Sequence, residues 1–386
     1  MRIKLASDTI SKEELNHLST WILKGNQLTK GDETRAFEKE FRDYLGIKYA
    51  VNTNSGSSSN LLMTYALVEG GYLKNKKVIA PSVSWVTTVS PLLQMGFEVS
   101  LCDCDPHDLG LDISHLEDLC KKEKPSLMIL VHVLGHSNNM KEIHKICKKY
   151  DVILIEDSCE ALGSEINSKK LGTLSKAASF SFYYGHHIST IEGGMVVTND
   201  DRLYEIMLSL RSHGWSRDLP KDAQNRLRKE YKIDEFRNLY TFYYPGFNFR
   251  STDLQAFLGR SQLKSIDKIT KIRMENYYVY KKELTEYFFQ SSLTFPLSSF
   301  AYGTLIANRL ETFNYLKSKG IETRPLICGN IGRHPFWLKK HKDPYLKNAD
   351  IIHDYGIYLP NHANLTKEGV KYVCEHFRKI AIPKFF

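Results

Sequence analysis

Two adjacent histidines, His186 and His187, lie a few residues before the glycine pair Gly193-Gly194. An imidazole titrates near neutral pH, so it can accept a proton from a substrate and later return it. It cannot replace a lysine amine in covalent chemistry, because imidazole forms no stable bond of that kind with an aldehyde. This segment therefore contains a candidate for acid–base catalysis without a covalent link.

A turn of small polar residues, residues 54–60, precedes a predicted helix over residues 61–68. Backbone N–H groups at a helix N-terminus, together with nearby hydroxyl groups, can bind a phosphate dianion. Turns of this composition are common in proteins, and most of them bind nothing. The turn is therefore evidence for a phosphate site only when other contacts point to the same ligand.

Two carboxylates and one aromatic side chain follow predicted strands. Asp157 and Glu160 come at the C-terminal end of the apolar run 152–156, where open α/β sheets bind their ligands. Trp85 follows the predicted strand 77–80 and could offer its π face to a planar ligand, although a tryptophan of the core would give the same pattern.

These segments resemble the sugar aminotransferases of the DegT/DnrJ/EryC1/StrS family, which use pyridoxal phosphate. In that family a Ser-Phe-x-x-x-Lys pattern precedes an acidic-Gly-Gly motif that ends eight residues after the lysine. Eight residues before Gly194 stands His186, so a histidine replaces the lysine that would bond to the cofactor. The resemblance therefore implies the lysine-lacking branch, the sugar 3-dehydratases, with His186 as the base and His187 as a supporting residue.

The resemblance also implies which residues bind the cofactor's phosphate. The family's phosphate loop matches Gly56, Ser57 and Ser58, and a family serine that contacts the phosphate matches Ser181. Asn248, in the motif Gly-x-Asn-x-Arg, matches an asparagine that reaches the phosphate of a neighbouring subunit. A homodimer with shared active sites is therefore expected.

Around the pyridine ring, the family positions match Trp85, Asp157 and Glu160. Trp85 would stack on the ring, and Glu160 would contact the ring hydroxyl. Asp157 would keep the pyridine nitrogen protonated, which makes the ring an electron sink.

Three further residues match positions that receive the substrate or the carboxylate of the cosubstrate, namely His213, Arg217 and Arg250. The branch acts on nucleotide-linked 4-keto-6-deoxyhexoses, and the run Tyr-Tyr-Gly-His-His together with Glu160 favours a GDP-linked 4-keto-6-deoxymannose. L-glutamate would supply the amine in a first half-reaction. Loss of the C3 hydroxyl in a second half-reaction would give a 3,6-dideoxy-4-keto sugar for surface polysaccharide.

Four alternatives remain open at this level. The chain could be an aminotransferase of the same fold that releases an aminosugar. It could be a regulator of this fold, although regulators usually carry a DNA-binding module, for which the residues before Ser11 leave no room. It could also be a nucleotide-sugar binding protein that has lost catalysis, or an aminotransferase whose lysine drifted to histidine.

The alternation of strand and helix patterns predicts an α/β fold with a mostly parallel central sheet. The resemblance implies fold type I, the aspartate aminotransferase-like fold of pyridoxal-phosphate enzymes. We expect a large cofactor-binding domain over residues 1–250 and a smaller α+β domain over residues 251–386. Residues 216–244 are charged and aromatic without a clear period, and we interpret them as a long excursion at the rim of the site. Predicted strands include 77–80, 99–103, 127–133, 152–156, 177–183 and 194–198, and predicted helices include 11–24, 87–95, 140–150, 254–288 with a break near 266, and 366–379.

Composition excludes several other classes of protein. The chain has 386 residues, of which 42% are hydrophobic and 25% charged, as in ordinary globular proteins. Its net charge of +9 is spread along the chain without a basic block, so nucleic acid is not an expected partner. Seven scattered cysteines without a CxxC pair predict reduced thiols and no metal site. With no signal peptide and no membrane-spanning stretch evident, the expected location is the cytoplasm.

Overall fold

A seven-stranded sheet forms the centre of the structure, a computed structural model that describes residues 1–386. The first nine strands of the chain are β1 (Tyr49–Thr53), β2 (Lys77–Pro81), β3 (Glu98–Cys102), β4 (Leu127–Val131), β5 (Ile153–Asp157), β6 (Glu165–Ile166), β7 (Lys169–Lys170), β8 (Ala177–Ser181) and β9 (Gly194–Thr198). Of these, β6 and β7 form a separate two-stranded hairpin, and the other seven form the large sheet. The order in the large sheet is β1-β9-β8-β5-β4-β2-β3.

Only β9 runs against its neighbours in this sheet, because it pairs antiparallel with both β1 and β8, whereas the β8, β5, β4, β2 and β3 pairs are parallel. The predicted α/β class with a mostly parallel sheet is therefore confirmed. Parallel strands end at the same edge, so the residues after β5 and β8 lie close together.

Helices cover the sheet, and a second, three-stranded sheet follows in the C-terminal part. The helices are α1 (Lys12–Leu23), α2 (Asp32–Leu45), α3 (Gly56–Glu69), α4 (Val86–Gln94), α5 (Ile113–Glu123), α6 (Met140–Tyr150), α7 (Asp201–Arg211), α8 (Lys221–Glu230), α9 (Glu235–Asn238), α10 (Asp253–Leu263), α11 (Ile266–Glu283), α12 (Arg309–Ser318), α13 (Pro335–Leu338), α14 (Lys347–Tyr355) and α15 (Lys367–Arg378). The small sheet has the order β10 (Tyr302–Leu305), β12 (Gly356–Leu359), β11 (Arg324–Pro325), and both of its pairs are antiparallel.

Helix α3 is the element that brings the small polar turn to the sheet edge. Ser55 caps it, since its hydroxyl accepts a hydrogen bond from the backbone N–H of Ser58 at 3.0 Å. Most of the helix is buried, including Asn60, Leu62 and Met63. Burial on several faces fixes the helix axis, and with it the direction in which its N-terminal N–H groups point.

Helix α10 lies against α2, although the sequence assigned them to different domains. The Asp253 carboxylate accepts hydrogen bonds from the backbone N–H groups of Gly31 and Thr34, at 2.6 and 3.0 Å, and so caps α2 from a distant part of the chain. Ala256 of α10 packs in the same apolar cluster as Phe37 of α2. The division of the chain at residue 250 stays a prediction.

The excursion over residues 216–244 contains the helices α8 and α9, which the sequence did not predict. Within α8 only Ala223 and Leu227 are buried, and two apolar positions are too few to produce a visible helical period.

No helix anywhere in the protein combines the length and apolar character needed to cross a bilayer.

Candidate active site

Asp157 ends strand β5 and is held by neutral donors from three elements. Its Oδ2 atom accepts hydrogen bonds from the Asn60 amide and from the Thr88 hydroxyl, both at 2.8 Å. Its Oδ1 atom accepts one from the backbone N–H of Cys159 at 3.2 Å. The Ser179 hydroxyl donates to the Asn60 carbonyl oxygen at 2.6 Å, which fixes the orientation of that amide. The buried carboxylate is thus oriented without a cationic partner of its own.

The N-terminus of α3 approaches β8 so closely that only glycine fits at its first position. A Cβ atom on Gly56 would lie 2.5 Å from the Cβ and 2.9 Å from the Oγ of Ser181, and 3.1 Å from the Sγ of Cys159. The structure therefore brings Gly56 and Ser181 into one cradle. Backbone N–H groups and hydroxyl groups converge there, and this donor set suits a phosphate dianion.

Two more serines complete the rim of this cradle. The Ser57 hydroxyl donates to the Thr87 hydroxyl at 3.0 Å, and Ser58 accepts from the Ser55 hydroxyl at 3.0 Å. The motif Gly-x-Asn-x-Arg runs alongside, because the backbone N–H of Asn54 donates to the Phe249 carbonyl at 2.9 Å.

Trp85 lies at the N-cap of α4 with 55% of its surface exposed, so its ring is available to a ligand. A loop of the small sheet, residues 326–331, supports the segment before it. The Cys328 thiol donates to the Ser84 carbonyl at 2.7 Å, and Ile331 donates its backbone N–H to the Ser82 carbonyl at 2.8 Å. Ile327 in this loop has a φ of 53°, a strained value for a β-branched residue, and such strain clusters at functional sites.

Glu160 lies three residues after Asp157, in the turn that follows β5, and is half-buried. Its carboxyl group accepts a hydrogen bond from the backbone N–H of Leu134 at 2.8 Å. Burial raises the pKa of Glu160 to about 8, with a further contribution from the charge of Asp157, and the bond from Leu134 opposes this rise. Glu160 is therefore a neutral acid at pH 7 beside an oriented carboxylate.

His186 is half-buried after β8, and its Nδ1 atom lies 2.8 Å from the carbonyl oxygen of Cys159. A carbonyl oxygen only accepts, so Nδ1 carries the proton and Nε2 has the free lone pair. Burial lowers the pKa of His186 to about 4; the charge of Arg273 lowers it further, while the Cys159 carbonyl and Asp157 act in the opposite direction. The imidazole is thus neutral at pH 7 and able to accept a proton at Nε2.

His187 points the other way, into the core. It is 1% exposed, and its Nε2 atom lies 2.8 Å from the Ser298 carbonyl oxygen. Burial holds the pKa of His187 well below its usual range. This placement agrees with a supporting role and leaves His186 as the histidine available to a ligand.

The predicted substrate residues are spread around Trp215 and the neighbouring strand-like segment. His213 has a φ of 64° and donates its backbone N–H to the Phe247 carbonyl, and its ring lies edge-on to Trp215 at 5.7 Å. Arg217 is exposed, with its guanidinium 5.5 Å from the Trp215 ring centre. Asn248 is exposed and forms a bridge to Ser212. Arg250 is half-buried at the end of this segment. None of these contacts reaches Asp157 or His186 within one chain.

Several residues at the site were not predicted from the sequence. Asn60 lies four residues after Gly56, so it shares a helix face with the cradle, and Thr88 lies three residues after Trp85. This spacing could have identified both. Phe300, whose ring lies 5.2 Å from that of His186, and Arg273 come from distant segments and had no local signal.

Other histidines and acids have structural contacts. The His132 Nε2 and Glu156 Oε2 atoms are 2.9 Å apart and fully buried, and Glu156 also accepts from Gly172 and Leu174. No group of three or more histidine, cysteine, aspartate or glutamate side chains is placed to hold a metal ion.

Comparison with known proteins gives consistent results. The sequence model of the DegT/DnrJ/EryC1/StrS aminotransferase family matches residues 9–378. GDP-4-keto-6-deoxy-D-mannose 3-dehydratase of Yersinia pseudotuberculosis is 33% identical over 380 residues, covering 95% of this chain and 96% of that protein.

Two solved structures of proteins with this dehydratase name are also similar to the chain. A variant of GDP-4-keto-6-deoxymannose-3-dehydratase with bound GDP-perosamine superimposes with a TM-score of 0.90 and 32% identity, covering 97% and 100% of the two chains. The E. coli enzyme of that name with bound hydrated pyridoxal phosphate gives a TM-score of 0.89 at 32% identity over the same shares. The predicted aspartate aminotransferase-like fold is therefore confirmed.

Proposed function

The chain belongs to the DegT/DnrJ/EryC1/StrS aminotransferase family, and from this premise we propose that it is a pyridoxal-phosphate-dependent 3-dehydratase, a lyase acting on GDP-4-keto-6-deoxymannose. One observation carries the proposal. His186 occupies the lysine position of the family motif, and its Nε2 atom is free because Nδ1 is engaged by the Cys159 carbonyl. This arrangement supports proton transfer and excludes a covalent link between this side chain and an aldehyde.

The residues present fit pyridoxal phosphate. The cradle at Gly56 and Ser181, with Ser57 and Ser58, would bind the phosphate. Asp157, which lacks a cationic partner, would accept the N–H of the pyridinium. Trp85 would stack on the ring. When bound in this way, the cofactor supplies an electron sink for a carbanion.

His186 would then move the proton. Its neutral form accepts a proton at Nε2, and the resulting imidazolium can return it to the hydroxyl group that leaves C3 of the sugar. One group can serve both steps because the proton it removes is the proton it donates. The amine would come from L-glutamate, and His186 could not displace that amine as a lysine would.

Glu160 would act as a neutral acid. A protonated carboxyl group donates a hydrogen bond, which suits a contact with the ring hydroxyl of the cofactor. A second ionised carboxylate beside Asp157 would instead repel electron density developing on the ring. The raised pKa of Glu160 therefore supports this assignment.

The active enzyme would be a homodimer with shared sites. Large apolar side chains of the excursion over residues 216–244, which precedes Asn248 in the chain, are exposed, with Phe236 at 83%, Tyr240 at 74% and Phe242 at 54%. A second copy that covers this surface would receive Asn248 at its own phosphate site.

The same surface would complete the substrate site. His213, Arg217 and Arg250 would recognise the carboxylate of glutamate and the nucleotide sugar from this side. The guanidinium groups of the two arginines suit these anions, and the imidazole offers a further hydrogen-bonding group. All seven cysteines are free, which supports function in a reducing compartment such as the cytoplasm.

A panel of GDP-, CDP- and dTDP-linked 4-keto-6-deoxysugars with glutamate and pyridoxal phosphate tests the proposal. With GDP-4-keto-6-deoxymannose, we expect mass spectrometry to show a product that lacks one oxygen atom of the sugar, together with release of ammonia and conversion of glutamate to its keto acid. A product that retains an amino group at C4 would instead identify an aminotransferase. No turnover of any member of the panel would contradict both activities.

A further inference from the structure

Arg273 of α11 is a fully buried cation without a carboxylate partner. It is 1% exposed, and its guanidinium donates only to backbone carbonyl groups. Arg211 is buried to the same extent but forms ion pairs with Glu38 and Asp218. A buried charge is normally compensated by an opposite charge, so its absence at Arg273 requires a reason.

The carbonyl groups that Arg273 binds come from three separate segments. One guanidinium nitrogen donates to Ser299 at 3.3 Å, to Phe300 at 3.0 Å and to Asn361. The other donates to the carbonyl oxygen of His186 at 3.2 Å. The planar fork of a guanidinium can serve several fixed acceptors at once, which a lysine ammonium does less well. The His186 peptide is thereby tied to the C-terminal part of the chain.

The ring of Phe300 is close to both side chains. Its centre is 5.2 Å from that of the His186 ring and 5.8 Å from the Arg273 guanidinium. The imidazole therefore packs beside a ring that also has a cation as a neighbour. Because Arg273 is 1% exposed, solvent screens its charge little.

We propose that Arg273 is a positioning residue for the base: its guanidinium fixes the His186 peptide, and its uncompensated positive charge disfavours protonation of the imidazole. The inference rests on the proposed role of His186 in proton transfer. The absence of a carboxylate then has a reason, because a carboxylate beside Arg273 would cancel the field that acts on His186.

Opposing groups also face the imidazole. Asp157 on β5 favours the protonated form, as does the Cys159 carbonyl, whereas burial and Arg273 disfavour it. Tyr183 lies 6.4 Å away, ring centre to ring centre, and His187 is held neutral by burial. Arg273 is the cation among these neighbours. Burial lowers the pKa of Arg273 to about 9, so the guanidinium stays charged at pH 7.

Two variants remove the charge in different ways. Arg273→Gln keeps an amide donor. Arg273→Met keeps an unbranched side chain without any donor, and apolar residues of similar volume often replace buried charges without loss of folding. Arg260→Gln is the matched control, because Arg260 pairs with Glu33 and Glu40 on the surface of α10, away from His186.

The measurement is an NMR titration of the His186 Cε1–H signal in each cofactor-free protein, assigned by its loss in His186→Asn. We expect the midpoint to rise in Arg273→Gln and Arg273→Met and to stay unchanged in Arg260→Gln. If Arg273→Gln does not fold, Arg273→Met carries the test. An unchanged midpoint in every folded charge variant overturns the inference, whether or not the protein is a dehydratase.

Arg273→Lys separates the two parts of the proposal. The variant retains the positive charge but lacks the planar guanidinium that binds several carbonyl groups at once. We therefore expect a His186 titration midpoint near that of the wild type and a lower kcat at similar KM. If the midpoint rises in Arg273→Gln while the pH profile of dehydration does not move, the proposed role of His186 fails and the electrostatic role of Arg273 stands. A full kcat in Arg273→Lys would overturn the positioning part.

Discussion

The Nδ1 atom of His186 lies 2.8 Å from the carbonyl oxygen of Cys159, and this contact decides which nitrogen of the imidazole can act as a base. Cys159 lies two residues after Asp157, so one short segment carries both the carboxylate that would hold the cofactor's ring nitrogen and the carbonyl that orients the imidazole. The tautomer of His186 is therefore set by a backbone carbonyl, whereas Arg273 holds the His186 peptide.

Removing the imidazole should abolish dehydration without preventing cofactor binding. For His186→Asn we expect kcat to fall by about 10²–10⁴-fold, the usual contribution of a positioned acid–base group, with little change in KM. Steady-state kinetics and the absorbance of bound pyridoxal phosphate measure the two effects. His187→Asn is the control, since His187 faces the core; it should lower stability and retain turnover. Equal losses in the two variants would argue against the assignment.

Glu160 should make the cofactor-free protein less stable as the pH rises. Its pKa in the folded protein, about 8, lies above its ordinary value of 4.5, so between these values the folded state holds a proton that the unfolded chain has released. Stability is then lost on going from about pH 4.5 to pH 8. Glu160→Gln removes this loss, so the variant should exceed the wild type by about 1–3 kcal/mol at pH 8 and by little at pH 5. Urea unfolding at both pH values measures this, and a difference independent of pH would contradict it.

A methyl group at Gly56 should weaken cofactor binding. Because the added Cβ would lie 2.5 Å from the Cβ of Ser181, α3 or β8 must shift, and the phosphate cradle is distorted. We expect Gly56→Ala to raise the Kd of pyridoxal phosphate by at least about tenfold, or ~1.4 kcal/mol. Gly25→Ala is the control: its φ of 75° strains the new residue, but no atom lies within 4 Å, so only stability should fall. Unchanged affinity in Gly56→Ala would exclude this cradle as the phosphate site.

Shared active sites predict complementation between two defective chains. Asn248→Asp should be inactive because its carboxylate repels the phosphate, and His186→Asn because it lacks the base. In a hybrid dimer of the two, one site has both defects and the other has none if Asn248 acts across the interface. Equal co-expression should then restore about a quarter of the wild-type activity. Activity no higher than that of either variant alone would place Asn248 in its own chain's site.

The sequence predicted the central fold well because its elements have local signals. The strands around residues 127–133 and 194–198 are short apolar runs, and the capping box at Ser11 and Glu14 marks the start of α1, which the structure has at Lys12. Strand β1 was not predicted, since Asn52 and Thr53 interrupt its apolar pattern although both are buried. The Asn52 amide donates to the Gly194 carbonyl at 3.2 Å, a partner that is distant in sequence.

The residues of the site likewise divide into those that have a local sequence signal and those that have none. Asp157 and His186 could be found because family motifs place them at fixed spacings. The tautomer of His186 and the raised pKa of Glu160 depend on the Cys159 carbonyl and on burial, which become visible only once the chain is folded. Arg273 lies 87 residues from His186, and a single arginine in a charged helix carries no signal of such a contact.

The most direct test uses the wild-type protein loaded with pyridoxal phosphate, reduced with borohydride, denatured and weighed by mass spectrometry. The account predicts the unmodified mass of the chain, because no lysine is bonded to the cofactor, and a pyridoxyl adduct in His186→Lys treated in the same way. A stable adduct on any lysine of the wild-type protein, for example Lys169 or Lys176, would contradict it.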